Sequence, residues 1–240
     1  QPPYRATERQ GDFARLTFGF GLPIENGACV PRRFLLVTVG LLVVGLGNEG
    51  YTQNQGAAEA IFERAVSDFE RGLVDEAAVA FDTVAELLPR QAPHLWQRGI
   101  ALYYAARYGD CREQFESHRT VNPNDVENAV WPFLCVAQAE SAEVARTQLL
   151  PVGPDGRVPM REVYQLFKGT LMPMQVLDAA GNNPSGQFFA HLYLGLYFEA
   201  VRKPMEALDH IQMAAADRYS RVGGYMHMVA RVHLEILQSP

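Results

Sequence analysis

Ala65-Val66-Ser67-Asp68-Phe69 and Gly99-Ile100-Ala101-Leu102-Tyr103 stand 34 residues apart and share one pattern of small and aromatic side chains. The match runs on downstream, with Ala77 against Cys111, Phe81 against Phe115 and Pro89 against Pro123. A small residue followed four positions later by an aromatic puts both on one helix face. The proline then closes the unit, because a helix cannot run through its ring. A period of this length marks a helix–turn–helix unit that buries its apolar face only by stacking on copies of itself. The stretch therefore predicts an all-α fold, a right-handed superhelical α-α repeat that is short and interrupted.

Punctuation supports this reading. Gly72 breaks the first helix pair, and Asp75-Glu76 begins the next helix with acids at its positive end. Asn122-Pro123-Asn124-Asp125 reads as a turn ending in a helix N-cap. Gly195, Ala207 and Ile211 restore the internal offsets of Gly99, Cys111 and Phe115. Lys203-Pro204 makes the turn there, with proline suited to a first helical position. Regular repeats are assigned to 58–91 and 92–125, irregular helices to 126–183 and a divergent repeat to 188–219. Within the irregular part the period is lost. Residues 126–150 read as one helix kinked at Pro132, 151–159 as a loop, and 160–168 and 171–180 as two short helices. A last amphipathic helix within 221–238 is expected to cap the end of the stack.

The N-terminal 57 residues form a separate extension. Within it Arg32-Arg33 precedes an uncharged apolar run from Phe34 to Leu46, too short for an ordinary membrane span but suited to an export signal. Ala58-Glu59-Ala60 is the candidate cleavage position. Export to a periplasm or envelope is the expected address, with a thylakoid lumen or another organelle as the alternative. Membrane attachment would come only through this segment left uncleaved. The net charge of -6 and the lack of a basic block in the body speak against nucleic acid as a partner.

These repeats resemble tetratricopeptide repeats, on Ala65, Gly72, Ala77, Phe81 and Pro89, then Gly99, Phe115 and Pro123, then Gly195, Ala207 and Ala214. Arg64, Asp68 and Arg98 depart from the pattern at places that are usually apolar. Arg98-Gly99-Ile100-Ala101-Leu102-Tyr103-Tyr104, Asn122-Pro123-Asn124-Asp125 and Leu192-Tyr193-Leu194-Gly195-Leu196-Tyr197 also resemble the exported NlpI-type bacterial scaffold proteins. Residues 47–60 contain no lipobox cysteine, so that group's lipid anchor is not implied. The resemblance implies a non-enzymatic protein–protein interaction scaffold or adaptor that presents a helical groove to an envelope or lumen protein, with a homodimer as one form.

The first helix of each tetratricopeptide pair lines the groove, so Trp96, Ile100, Tyr103 and Tyr104 are the expected partner-binding residues, acting as apolar anchors. No cofactor, metal or catalytic residue is predicted. The histidines have no HExxH spacing, and His227 and His233 lie six positions apart on different helix faces. Cys111 and Cys135 read as buried small residues, neither a zinc site nor a disulfide framework. Two alternatives share parts of this picture: an assembly chaperone for a multi-subunit complex, and an enzyme with a site in 126–183, where no His, Cys or carboxylate cluster is visible in the sequence.

Overall fold

The computed structural model describes residues 46–239, and Arg32-Arg33 with the body of the apolar run lies outside them. Among the described residues there are eleven α-helices and no strand. The first four are α1 (Leu46–Glu70), α2 (Val74–Leu87), α3 (Trp96–Tyr104) and α4 (Tyr108–His118). Then come α5 (Glu127–Ala139), α6 (Ala142–Thr147), α7 (Met160–Lys168) and α8 (Pro173–Ala180). The last three are α9 (Pro184–Ala200), α10 (Pro204–Ala214) and α11 (Ser220–Gln238). Consecutive helices pack on each other from α2 to α6 and again from α7 to α11, and α9–α10 and α4–α5 are the most extensive of these pairs. No described helix is long and apolar enough to cross a membrane.

The recurrence is clearest at the turns inside the hairpins. Gly72, Ala106 and Arg202 all have positive φ, at 75°, 55° and 61°. In each case the next amide reaches back to close a six-residue turn: Leu73 N–H to Asp68 O, Arg107 N–H to Leu102 O and Lys203 N–H to Phe198 O. This double reversal satisfies the last carbonyls of the first helix and aims the second helix back along it. A side chain in the left-handed region costs about 1–2 kcal/mol, a penalty glycine escapes. Ala106→Gly is therefore expected to raise stability by about 0.5–1 kcal/mol, and Gly72→Ala to lower it by about 1 kcal/mol. Urea midpoints of the two variants against wild type check both signs.

The close approach expected at the glycines is present. A Cβ on Gly99 would come within 2.5 Å of the Phe115 ring, and one on Gly195 within 2.6 Å of Ile211. Helix propensity is given up there so that the two helices of a hairpin can touch.

Residues 126–150 differ from the sequence reading. They are not one kinked helix but a third hairpin, α5–α6, turning at Glu140-Ser141, where the Ser141 hydroxyl caps α6 through Val144 N–H. The second helices α2, α4 and α6 start at Val74, Tyr108 and Ala142, so the 34-residue step persists for one more unit. Ala145 stands at the small position of Cys111 and is likewise fully buried. Phe133, not glycine, stands at the place of Gly99, and its ring meets Phe167 of α7 edge-on at 5.0 Å.

Cys111 and Cys135 are also read differently by the structure. Their sulfurs are bonded, joining α4 to α5 across a Cα separation of 6.4 Å. Both are small and fully buried, as expected. What the sequence could not show is that the two helices bring them side by side.

Arg98, an outlier in the repeat pattern, has a structural role. Its guanidinium donates to Asp82 on α2 at 2.7 Å and to Gln114 on α4 at 2.8 Å, and Asp82 also takes Arg107 at 2.6 Å. The two regular hairpins are stapled here by a half-buried polar bridge in place of an apolar contact.

Candidate functional site

The α3 residues expected to bind a partner lie in an aromatic cluster that includes side chains of α1 and α11. Tyr104 packs edge-on against Phe69 of α1 and against Tyr103, with ring centroids 5.5 and 5.2 Å apart. Tyr103 lies edge-on to Tyr108 at 6.0 Å and to Trp131 of α5 at 5.5 Å. Ile100 is fully buried and Tyr103 nearly so, whereas Trp96 and Tyr104 are half-buried. Of the four expected anchors, Trp96 and Tyr104 thus keep exposed surface, and Ile100 and Tyr103 sit in the core beneath them.

The C-terminal helix covers this face. Tyr225 stacks on Phe69 at 6.0 Å and meets Trp96 edge-on at 5.0 Å. Two turns further along, His233 Nδ1 lies 2.9 Å from the Tyr104 hydroxyl, and its Nε2 lies 3.1 Å from Glu199 of α9. Tyr225, Val229 and His233 follow at steps of four, one side of α11. The sequence reading made this helix a cap on the end of the stack. The contacts make it a bridge: it packs on α9 and α10, and its Tyr225 and His233 side chains reach across to α1 and α3.

Polar groups are concentrated under this bridge. Gln138 donates to the Tyr103 hydroxyl at 3.2 Å. Burial pushes the Tyr103, Tyr104 and Tyr225 hydroxyls up, and the Glu199 carboxylate adds to the shift at the first two. All three therefore remain protonated donors at neutral pH. The Tyr225 hydroxyl, His233 Nε2 and Glu199 Oε2 are buried without a hydrogen-bond partner among the described residues. The His233–Glu199 contact has the distance of an ion pair without the alignment of a hydrogen bond.

Two further clusters escaped the sequence reading. Asp125, Glu127 and Asp155 converge on Arg157, which donates to Glu127 at 2.8 Å and to Asp155 at 2.7 Å. Val126 N–H donates to Asp155, Glu127 N–H to Asp125 and the Tyr193 hydroxyl to Glu127. Carboxylates from 126–183 and its edge do cluster, contrary to the linear reading. Their oxygens are taken up in pinning the 151–159 loop onto α5 and α9, an ion-pair network and not a free acid–base pair. Burial raises the Glu127 pKa, with Asp125 adding and Arg157 opposing.

His191 and His210 face each other across the α9–α10 hairpin, Nδ1 to Nδ1 at 3.0 Å, with His210 stacked on Phe198 at 5.4 Å. Burial, then His210 and Arg218, push His191 down to about 4. Burial also lowers His210, against the pull of Asp209, and lowers His118. The folded chain holds these rings neutral, while the unfolded chain protonates them near the ordinary value of about 6.5. The unfolded state therefore binds more protons in that interval, and stability is lost as pH falls from about 6.5 towards about 4. For the half-exposed His191, screening reduces the contribution to about 1–2 kcal/mol. His191→Asn is expected to flatten the acid limb of a urea-midpoint profile relative to wild type.

A shallow hollow of about 340 Å³ lies between the Arg119–Pro123 turn and Pro151–Gly153, away from the aromatic face. Among the described residues no three His, Cys, Asp or Glu side chains are arranged to hold a metal ion. No model of a known protein family matches the chain.

Proposed function

We propose that the chain is an exported, non-enzymatic scaffold of the tetratricopeptide type, whose stacked hairpins hold another protein through the aromatic face around Trp96 and Tyr104. The single observation that carries the reading is the recurrence of one hairpin. Second helices start at Val74, Tyr108 and Ala142, and the same left-handed turn recurs at Gly72, Ala106 and Arg202. Repetition of a complete supersecondary unit is what a stacked α-α array is made of, and such arrays present extended binding surfaces. Rigid stacked helices then hold a partner segment at low entropic cost.

Two observations favour export and an envelope or lumen partner. The Cys111–Cys135 bond suits an oxidising compartment, since cytosolic thiols are kept reduced. The arginine pair and apolar run upstream have the pattern of a signal. The partners proposed are proteins and not nucleic acid, in the manner of the NlpI-type scaffolds and without their lipid anchor.

The test is cross-linking of the native cell's proteins to wild type, Trp96→Ala and Tyr104→Ala, with cooperative melting of each variant verified. A protein recovered from the envelope or lumen fraction with wild type and lost with Trp96→Ala supports the reading. Equal recovery from all three removes the aromatic face from the binding surface. Recovery only from cytosol removes the export reading.

A further inference from the structure

The aromatic face is occupied by a helix from the same chain, and that occupancy shows what chemistry the face accepts. On its covered side α11 presents Tyr225 to Phe69 and Trp96, Val229 to the core, and His233 to Tyr104 and Glu199. An aromatic ring fills one end of the seat, a β-branched residue the middle, and a hydrogen-bonding ring the polar end. Helix-in-groove recognition uses this kind of spacing, with anchors on one side of an amphipathic helix.

The seat is incompletely satisfied. Among the described residues, three of the six buried side-chain atoms without a hydrogen bond lie in it: Tyr225 Oη, and His233 Nε2 and Glu199 Oε2, which face each other at 3.1 Å without hydrogen-bond alignment. A buried polar group without a well-aligned partner destabilises the contact that holds it. The contact is therefore apolar and extensive, yet weaker than its area suggests.

The chain also has a swivel next to the seat. Gly224 interrupts α11 with φ 51° and ψ -130°, a conformation side chains rarely adopt. Its neighbour Gly223 is closely packed: a Cβ there would lie 2.7 Å from His227 Cβ and 2.8 Å from the Phe188 ring. Beyond Gly224 the helix is tied down by His227, whose Nε2 lies 3.1 Å from Ala216 O, and by its packing on α9 and α10, as well as by the seat.

We propose that α11 is a displaceable internal ligand, and that the face it covers receives a partner's amphipathic helix carrying an aromatic and a hydrogen-bonding side chain eight positions apart. This rests on the scaffold reading above and names the chemistry of its partner. Displacement works by competition. A tethered helix acts at an effective concentration in the millimolar range for a short linker, so a partner must exceed α11 in fit. A helix that pairs Glu199, and whose aromatic ring brings no unpaired hydroxyl into the seat as Tyr225 does, would do so.

The probe is a fluorescent peptide with the sequence Ser220–Gln238, titrated into the full chain and into the full chain carrying Tyr225→Ala and His233→Ala. The face is intact in both, and only the tethered competitor differs. The variant is expected to bind the peptide at least about tenfold more tightly than wild type. A peptide with the same two substitutions is expected not to bind. Equal affinity for both chains, or none, with both chains folded by circular dichroism, overturns the proposal.

Where the variant fails to fold, hydrogen exchange on wild type decides instead. Amides of Tyr225–Leu237 should exchange at least about tenfold faster than those of α3 and α4, through local opening. Exchange only by global unfolding overturns it. Peptide binding without a cross-linked cellular partner sinks the scaffold reading and keeps the helix seat. A partner lost with Trp96→Ala but no peptide binding does the reverse.

Discussion

Phe115→Ala is expected to destabilise the chain by about 3–5 kcal/mol, and Gly99→Ala by about 1–2 kcal/mol. The ring is 1% exposed and stacks on Trp131 at 5.9 Å, nearly parallel to it. Its other side lies against the bare backbone of Gly99, where an added methyl would come within 2.5 Å. The ring cannot swing clear because Trp131 is itself buried behind it. The methyl on Gly99 therefore meets a fixed object, and overpacking of about 1–3 kcal/mol outweighs the roughly 1 kcal/mol that alanine adds to helix propensity. The sign should reverse in combination. Once Phe115 is alanine the obstruction is gone, and adding Gly99→Ala should be neutral or stabilising by up to about 1 kcal/mol. Urea unfolding of the four proteins in this cycle gives the coupling. Additive effects would mean that α3 and α4 do not meet at these two residues.

Loss of the Cys111–Cys135 bond has the next largest expected effect. Its ends are 24 residues apart, and closing a loop of that size in the unfolded chain is worth about 3 kcal/mol. Both positions are fully buried between α4 and α5, where small side chains are required. The double variant Cys111→Ala and Cys135→Ala keeps that packing, so its deficit against the oxidised protein isolates the cross-link. We expect about 2–4 kcal/mol, and a matching loss when wild type is fully reduced. Alkylation of the denatured, unreduced full chain should label one of its three cysteines, Cys29, and a chain cleaved at 58–60 should not label at all. Labelling of all three would contradict the bond and, with it, one support for export.

The parts of the fold legible in the sequence were those with local causes. Gly72, Pro89, Pro123 and Pro204 punctuate the hairpins at the places read, and Met160–Lys168 was delimited to the residue. The α5–α6 hairpin was missed because its turn, Glu140-Ser141, has neither glycine nor proline, and because Phe133 replaces the small residue that marks the first helix elsewhere. Only Ala145 kept the register, and one alanine is a weak mark. The candidate site was legible in part. Trp96 and Tyr104 lie on a built aromatic face, but which side chains would be buried beneath it depended on helices far along the chain. Tyr104 and His233 are 129 residues apart, and Phe69 and Tyr225 are farther apart still. The His191–His210 pair and the Arg157 network are likewise products of helix packing, and no spacing rule announces them.

These observations make one account. Recurring hairpins build an aromatic face, α11 lies on it, and the proposal is that a partner's helix takes its place. The most direct measurement is by nuclear magnetic resonance on the full chain with labelled aromatic rings. The account predicts cross-peaks between the Trp96 indole and the Tyr225 ring, whose centroids are 5.0 Å apart, and between the Tyr104 and His233 rings at 5.6 Å. Absence of both sets, with Trp96 signals at the shifts of a solvent-exposed indole, would contradict it.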